Sequence, residues 1–184
     1  MPQALTDTNI AIFIALRGTE QVEFTEPKQA VSNAGATVDV VGSEIGEANT
    51  VNNDLDEGET FEIDRSFSEV SSDDYDALII PGGAVGADRL RTDEDAVGLV
   101  QDHVEADKPL GVICHGPWVL VEADVIDGQT LTSYPSLQTD IRNAGGEWVD
   151  EEVVADGHLV TSRNPDDLPA FCEAIVEEFA PDRE

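Results

Sequence analysis

The stretch with the clearest capacity for chemistry runs from Pro109 to Val121, PLGVICHGPWVLV: an apolar run, then Cys114, His115, Gly116 and Pro117, then a second apolar run. Leu110, Val112 and Ile113 have the short, bounded, largely β-branched character of a buried parallel strand. Pro117 suits the first position of a helix, where its missing N–H is not needed and its φ is already helical. Cys114 therefore falls on a tight strand-to-helix turn with helix N–H groups aimed towards it. That placement predicts a thiol pKa lowered from about 8.5 into the range of roughly 3.5 to 7.5. The arrangement is the thiol counterpart of a nucleophile elbow, with Gly111 and Gly116 giving the backbone room to turn. A cysteine that merely fills a core needs neither the following histidine nor the glycines.

Other chemistry-bearing residues are weaker candidates. Gly82-Gly83 follows an apolar run, where a ligand could approach the backbone closely, although a simple tight turn accounts for the pair equally well. Cys172 lies in an apolar helical stripe and reads as an inert core residue. His103 adjoins another such stripe and reads as a packing or surface residue; His158 stands beside a turn and reads as exposed and structural. Three separated histidines offer no metal-ligand cluster.

The elements that must position Cys114 alternate between strand and helix. Ile10–Leu16, Val38–Val41 and Asp76–Ile80 read as buried strands. A helix starts near Glu20-Gln21-Val22-Glu23, is expected to break or kink at Pro27, and closes at Asn33-Ala34-Gly35. Gly42–Ser72 is loosely patterned, with a turn expected at Asp56-Glu57-Gly58 and an edge strand at Thr60–Ile63. Asp93–Glu105 forms a helix with Val97, Val100 and Val104 on one face. Gly128–Thr132 reads as a strand, Leu137–Asn143 as a short helix, and Trp148-Val149 and Val153–Ala155 as strand-like. Asp156-Gly157 reads as a hairpin turn before Leu159–Thr161. Asn164 caps the last helix, Pro165 opens it, and Leu168, Phe171, Cys172, Ile175, Val176 and Phe179 form its apolar stripe. This alternation predicts a mostly parallel sheet with helices on both faces, in a single domain over 1–184 with its core at about 9–180.

Composition narrows the partners. The 184 residues carry 40 acidic and 9 basic side chains, a formal charge of −31. That excess argues against nucleic acid or an anionic membrane as a partner. The acids are spread along the chain, and lysine is confined to Lys28 and Lys108, a pattern that suits a high-salt cytoplasm. Two cysteines in unlike contexts imply no disulfide framework. The N-terminus shows no secretory signal, and no apolar run approaches the roughly 20 residues of a membrane span. A cytoplasmic protein is expected.

The elbow, the glycine pair and the acidic helix start together resemble the PfpI family, in the superfamily of the parkinsonism-associated deglycase and the class I glutamine amidotransferase-like proteins. The motifs are Glu20-Gln21-Val22-Glu23, the run Asp76–Gly83, Ile113-Cys114-His115-Gly116-Pro117, Thr132-Ser133-Tyr134-Pro135, Asn143–Asp150 and Thr161-Ser162-Arg163. The resemblance implies a flavodoxin-like three-layer sandwich. It implies Cys114 as nucleophile, His115 beside it, Glu23 sharing its proton and Glu20 as a second pocket acid. It further implies Gly83 and His115 N–H groups as an oxyanion hole, Tyr134 near the pocket, and Asp88 reaching His115 of a neighbouring subunit. Trp118 is expected to narrow the pocket mouth. The implied activity is that of a glutathione-independent glyoxalase or deglycase, acting on small reactive carbonyls or their protein adducts. An intracellular cysteine peptidase and a redox-sensing stress protein are the alternatives. A homo-oligomer, dimer or hexamer, is implied, and no cofactor is.

Overall fold

The computed structural model describes residues 3–181; Met1, Pro2 and 182–184, the outermost residues of the expected 1–184 domain, lie outside them. Along the chain run β1 (Asn9–Phe13), β2 (Arg17–Glu20), α1 (Gln21–Asn33), β3 (Thr37–Gly42), β4 (Gly46–Asn52), β5 (Asp56–Ile63) and β6 (Arg65–Ser66). Then come β7 (Ala77–Ile80), α2 (Ala84–Arg91), α3 (Glu94–Glu105), β8 (Leu110–Ile113), α4 (Pro117–Ala123), β9 (Thr130–Leu131) and α5 (Gln138–Asn143). The described chain closes with β10 (Glu147–Trp148), β11 (Val154–Asp156), β12 (Leu159–Ser162) and α6 (Leu168–Phe179).

The central sheet has seven strands in the order β11-β12-β8-β7-β1-β3-β6. All neighbours are parallel except the β11–β12 hairpin. Alternation along each central strand feeds two cores. Ala11, Phe13, Leu78, Ile80, Leu110 and Val112 face one side, beneath α3 and α4. Ile10, Ile12, Ala77, Ile79 and Ile113 face the other, where Phe24 and Val31 of α1 and Phe171 and Ile175 of α6 cover them. Strands buried on both faces lose the polar–apolar alternation of a half-exposed sheet, which is why each is a continuous apolar run. The result is the flavodoxin-like three-layer architecture.

Several local expectations are corrected. Pro27 does not interrupt α1, which runs unbroken from Gln21 to Asn33 with Pro27 buried. Its ring therefore contributes to packing in a helix that tertiary contacts hold. Asp56-Glu57-Gly58 is not a turn but the start of β5; the chain reverses at Asn53 and Asp54, both in the left-handed region at φ 53° and 65°. Asparagine and aspartate tolerate that conformation better than most residues. The polar stretch before Ser72 is thus more regular than expected, since β4 and β5 pair and β2 adds to them in a separate three-stranded sheet.

The buried face of α3 is Ala96, Leu99, Val100 and His103, with Val97 and Val104 at its margins. The predicted strand at 128–132 shortens to β9. On α6 the fully covered residues are Leu168, Phe171, Ile175 and Phe179; Cys172 sits half-buried beside them. Gly111 and Gly116 serve close packing rather than turning. A Cβ at Gly111 would lie 2.6 Å from Ile175 of α6, and one at Gly116 would lie 2.8 Å from the Ile80 carbonyl.

Candidate active site

Cys114 stands directly after β8, at the carboxyl edge of the sheet, and takes φ 63°. A non-glycine residue in the left-handed region costs on the order of 1 kcal/mol, so surrounding structure must impose it. Two backbone bonds do so here. The Cys114 N–H donates to the Ser162 carbonyl at the end of β12 (3.0 Å), and its carbonyl accepts the Tyr134 N–H (2.8 Å). Pro117 opens α4 as the sequence predicts. The thiol is 5% exposed, and its Sγ lies 3.2 Å from His115 Nδ1.

The start of α1 delivers two acids to this thiol. Glu23 is fully buried; its Oε1 accepts the Gly82 N–H (2.9 Å), while Oε2 accepts from no nitrogen or oxygen donor and is left to the Cys114 thiol. Burial, with no cation to offset it, pushes the Glu23 carboxyl up to about 8, and the negative Glu20 and Asp54 add to the rise. Glu20 is anchored differently. Its two oxygens accept the Asn53 and Asp54 N–H groups (2.6 and 3.0 Å), and Asp54 Oδ1 in turn accepts the Ala84 N–H at the start of α2 (2.8 Å). The β4–β5 turn is thereby tied to both helices that border the thiol.

The glycine pair proves to be part of this arrangement. A side chain at Gly82 would lie 2.6 Å from Glu23 Oε1, 2.8 Å from Cys114 Cβ and 2.8 Å from His115 N. Gly83 needs φ 85°, and a Cβ there would strike the Gly18 carbonyl. The Gly83 N–H is directed at the Cys114 sulfur.

The thiol itself departs from expectation. Burial pushes the Cys114 pKa up, and the Glu23 carboxylate pushes it further, opposite to the lowering expected from the helix N-terminus. The Gly83 N–H lowers it but is outweighed, first by burial and then by the neighbouring acids, with no cation lining the cavity among the described residues. His115 does not supply one either, since burial lowers its pKa and favours the neutral ring. That ring stacks on Tyr134 (4.4 Å between centroids, 23° between planes) and meets Trp118 edge-on (5.3 Å).

A cavity of about 240 Å³ opens at the sulfur, lined by Glu20, Glu23, Asn53, Asp54, Cys114, Tyr134 and Pro165. Cys114, Glu23, Glu20 and Tyr134 are thus brought together, with His115 and Gly83 adjoining. Trp118 does not narrow this cavity; its indole N–H bonds Asp140 (2.8 Å) on the far side of His115. Asp88 is exposed on α2, and among the described residues no hydrogen bond or ion pair joins it to His115. Asn53, Asp54 and Pro165 were not assigned to the site by sequence reasoning. The signal available for Asn53-Asp54 was the pair's tolerance of left-handed backbone, which the neighbouring Asp56-Glu57-Gly58 obscured. Among the described residues no group of three His, Cys, Asp or Glu side chains converges in a metal-holding cluster.

The doubly covered, mostly parallel sheet, with Cys114 on the turn after β8, defines a flavodoxin-like α/β protein. The chain belongs to the DJ-1/PfpI family, whose sequence model matches residues 8–178. It is 44% identical over 153 residues to Protein/nucleic acid deglycase 2 of Escherichia coli, spanning 83% of this chain and 87% of that protein. It is 41% identical over 152 residues to the Bacillus subtilis protein named "Putative cysteine protease YraA", again spanning 83% and 87%. Among solved structures, Drosophila melanogaster DJ-1beta superposes with a TM-score of 0.84 at 30% identity, covering 95% of this chain and 91% of that one. No helix among the described residues is long and apolar enough to cross a membrane.

Proposed function

We propose that the protein is a cysteine-dependent enzyme acting on small reactive carbonyls or their protein adducts, of the glutathione-independent glyoxalase or deglycase type. One observation carries the reading. The Cys114 sulfur, held on a left-handed turn, faces the one oxygen of Glu23 that lacks an N–H or O–H partner, inside a cavity sized for a small molecule.

With methylglyoxal, the sulfur attacks the aldehyde carbon while the thiol proton passes to the ionised form of Glu23, which its raised pKa of about 8 makes a stronger base than an ordinary carboxylate. The C–S bond forms as the carbonyl π bond opens onto oxygen, where the Gly83 and His115 N–H groups act as oxyanion donors. Glu23 protonates that oxygen to give a hemithioacetal and is again a carboxylate. It then removes the proton from the same carbon and returns one to the neighbouring carbon, while the hydroxyl proton of the first carbon passes to the oxygen of the second, leaving a thioester. Water cleaves the thioester to lactate and the free thiol, so methylglyoxal plus water balances lactate. Glu20 acts as a positioning residue that holds the Asn53–Asp54 turn, and Tyr134 fixes the His115 ring. In a homo-oligomer, Asp88 of a neighbouring subunit orients His115.

A panel of methylglyoxal, glyoxal, a glycated amino acid and an unstructured peptide tests the reading at molar KCl. Lactate formation that falls at least about 10³-fold in Cys114→Ala is the expected result; equal activity in the two proteins would sink the assignment. Cleavage of the peptide alone would move the site to the peptidase reading suggested by the name of the Bacillus relative, although the small cavity favours a small substrate. Selective peroxide oxidation of Cys114 without turnover would move it to the redox-sensing reading.

The charge of −31 supports a second proposal, adaptation to high salt. Carboxylates that repel over a Debye length of about 10 Å at 0.1 M salt do so over only about 3 Å at 1 M. The melting temperature should therefore climb steeply with KCl, and a flat response would remove this proposal.

A further inference from the structure

The Cys114 cavity has charge of one sign only. Glu20, Glu23 and Asp54 contribute carboxyl groups to its lining, and no lysine or arginine does. Two arginines on flanking stretches are committed elsewhere, and Arg17, exposed at the start of β2, does not line the cavity. Arg91 pairs with Glu122 (3.1 Å) over the Trp118 ring, and Arg163 grips Asp150 and Asp167 at 2.9 Å. An anionic substrate entering here meets carboxylates without a counter-charge.

Two carboxyl oxygens in the cavity accept no N–H or O–H among the described residues. Glu23 Oε2 is buried, and it is engaged by the Cys114 thiol. Asp54 uses Oδ1 on the Ala84 N–H, and its Oδ2 accepts no hydrogen bond among the described residues. Tyr134 adds an aromatic wall, which attracts cations and not anions.

We propose that the site selects its substrate by charge, taking reactive α-ketoaldehydes or their adducts that carry a positive charge near the carbonyl and rejecting anionic ones, with Asp54 as the specificity-determining residue. This rests on the carbonyl-enzyme reading above. Glu20 is spent on the turn and Glu23 on the proton traffic of the thiol, so Asp54 is the acid free to meet a substrate cation. A unit charge facing Asp54 across this partly desolvated cavity corresponds to a preference of about tenfold for the cationic over the anionic substrate.

The test uses the full chain and three matched substrates: phenylglyoxal, its 4-carboxy derivative and its 4-trimethylammonio derivative. In the native protein, kcat/KM should favour the cationic over the anionic substrate by more than about tenfold, with the ratio shrinking as KCl is raised. Asp54→Asn keeps the oxygen that accepts the Ala84 N–H and removes the charge, so the ratio should fall about tenfold. Glu105→Gln, which removes an exposed charge on α3 outside the cavity, controls for the overall acidity and should leave the ratio unchanged. A native ratio near one, or an equal fall in both variants, would overturn the proposal. Failure of the carbonyl reading is distinguishable, because phenylglyoxal would then be untouched or would turn over in Cys114→Ala. In that event, binding of the unreactive trimethylanilinium and benzoate ions decides the matter. Tighter binding of the cation, lost in Asp54→Asn, supports charge selection, and equal affinities defeat it.

Discussion

Among the described residues Glu23 and His103 are the two titratable side chains that the fold buries completely, and they sit at opposite ends of the sheet in opposite states of satisfaction. At His103, Nε2 lies 3.0 Å from the Pro109 carbonyl, which can only accept, so the ring donates there and receives from Ser72 Oγ at Nδ1 (3.4 Å). Both nitrogens are engaged, and burial lowers the pKa to about 4. Glu23 is buried as deeply but has one oxygen with no N–H or O–H partner, beside a thiol, at a pKa raised to about 8. Burial alone therefore does not mark a functional group. A buried group with its bonds complete is part of the scaffold, whereas one left incomplete against a nucleophile and a cavity is poised for proton transfer.

The largest effect should come from Glu23→Gln, which keeps the shape but cannot carry a proton between carbons. On methylglyoxal, kcat/KM should drop by roughly 10² to 10⁴-fold, with the fold intact by circular dichroism; retained activity would make Glu23 as structural as His103. The same variant should change stability with the opposite sign. Because the Glu23 pKa is raised from 4.5 to about 8, its ionisation favours the unfolded chain. The stability it contributes is complete below about 4.5 and lost as pH rises through about 8. Urea titrations of Glu23→Gln should show less of that loss between pH 6.5 and 8.

His103→Phe should do the reverse. It strands the Pro109 carbonyl and Ser72 hydroxyl, at an expected stability cost of about 2–4 kcal/mol, while kcat/KM stays at the native value. The pKa lowered from 6.5 to about 4 means that the native histidine's contribution is complete above 6.5 and lost as pH falls through about 4. That part of the acid sensitivity should vanish in the variant.

The smallest effect should come from Cys172→Ala. This thiol is half-buried on α6, and burial raises its pKa to about 11. Removing it should cost less than about 1 kcal/mol and leave activity unchanged; loss of activity would show that Cys114 is not the sole working thiol.

The strands of the central sheet and the elbow were legible in the sequence because each depends on short-range pattern. Ile10–Phe13, Ala77–Ile80 and Leu110–Ile113 are apolar runs of strand length, and Cys114 is followed within three residues by the glycine and proline that open a helix. The acids at the start of α1 were equally visible, though their role came from family resemblance. The β4–β5 turn was not legible. Asn53 and Asp54 reach the site only because Glu20, more than 30 residues earlier, accepts their N–H groups. Trp118 was misread for the same reason, since its place behind His115 depends on Asp140.

By itself, then, the sequence determined the α/β class, the elbow that carries Cys114 and the acid excess, all of which follow from residue type and local spacing. Tertiary structure alone decided the electrostatics at the thiol. A helix N-terminus predicts a lowered cysteine pKa, but the pKa responds to the sum of nearby charges and lost solvent. Here chain crossings bring Glu20, Glu23 and Asp54 to a buried sulfur, and among the described residues no arginine lines the cavity. No reading along the chain contains that sum, because its terms come from segments that meet only in three dimensions.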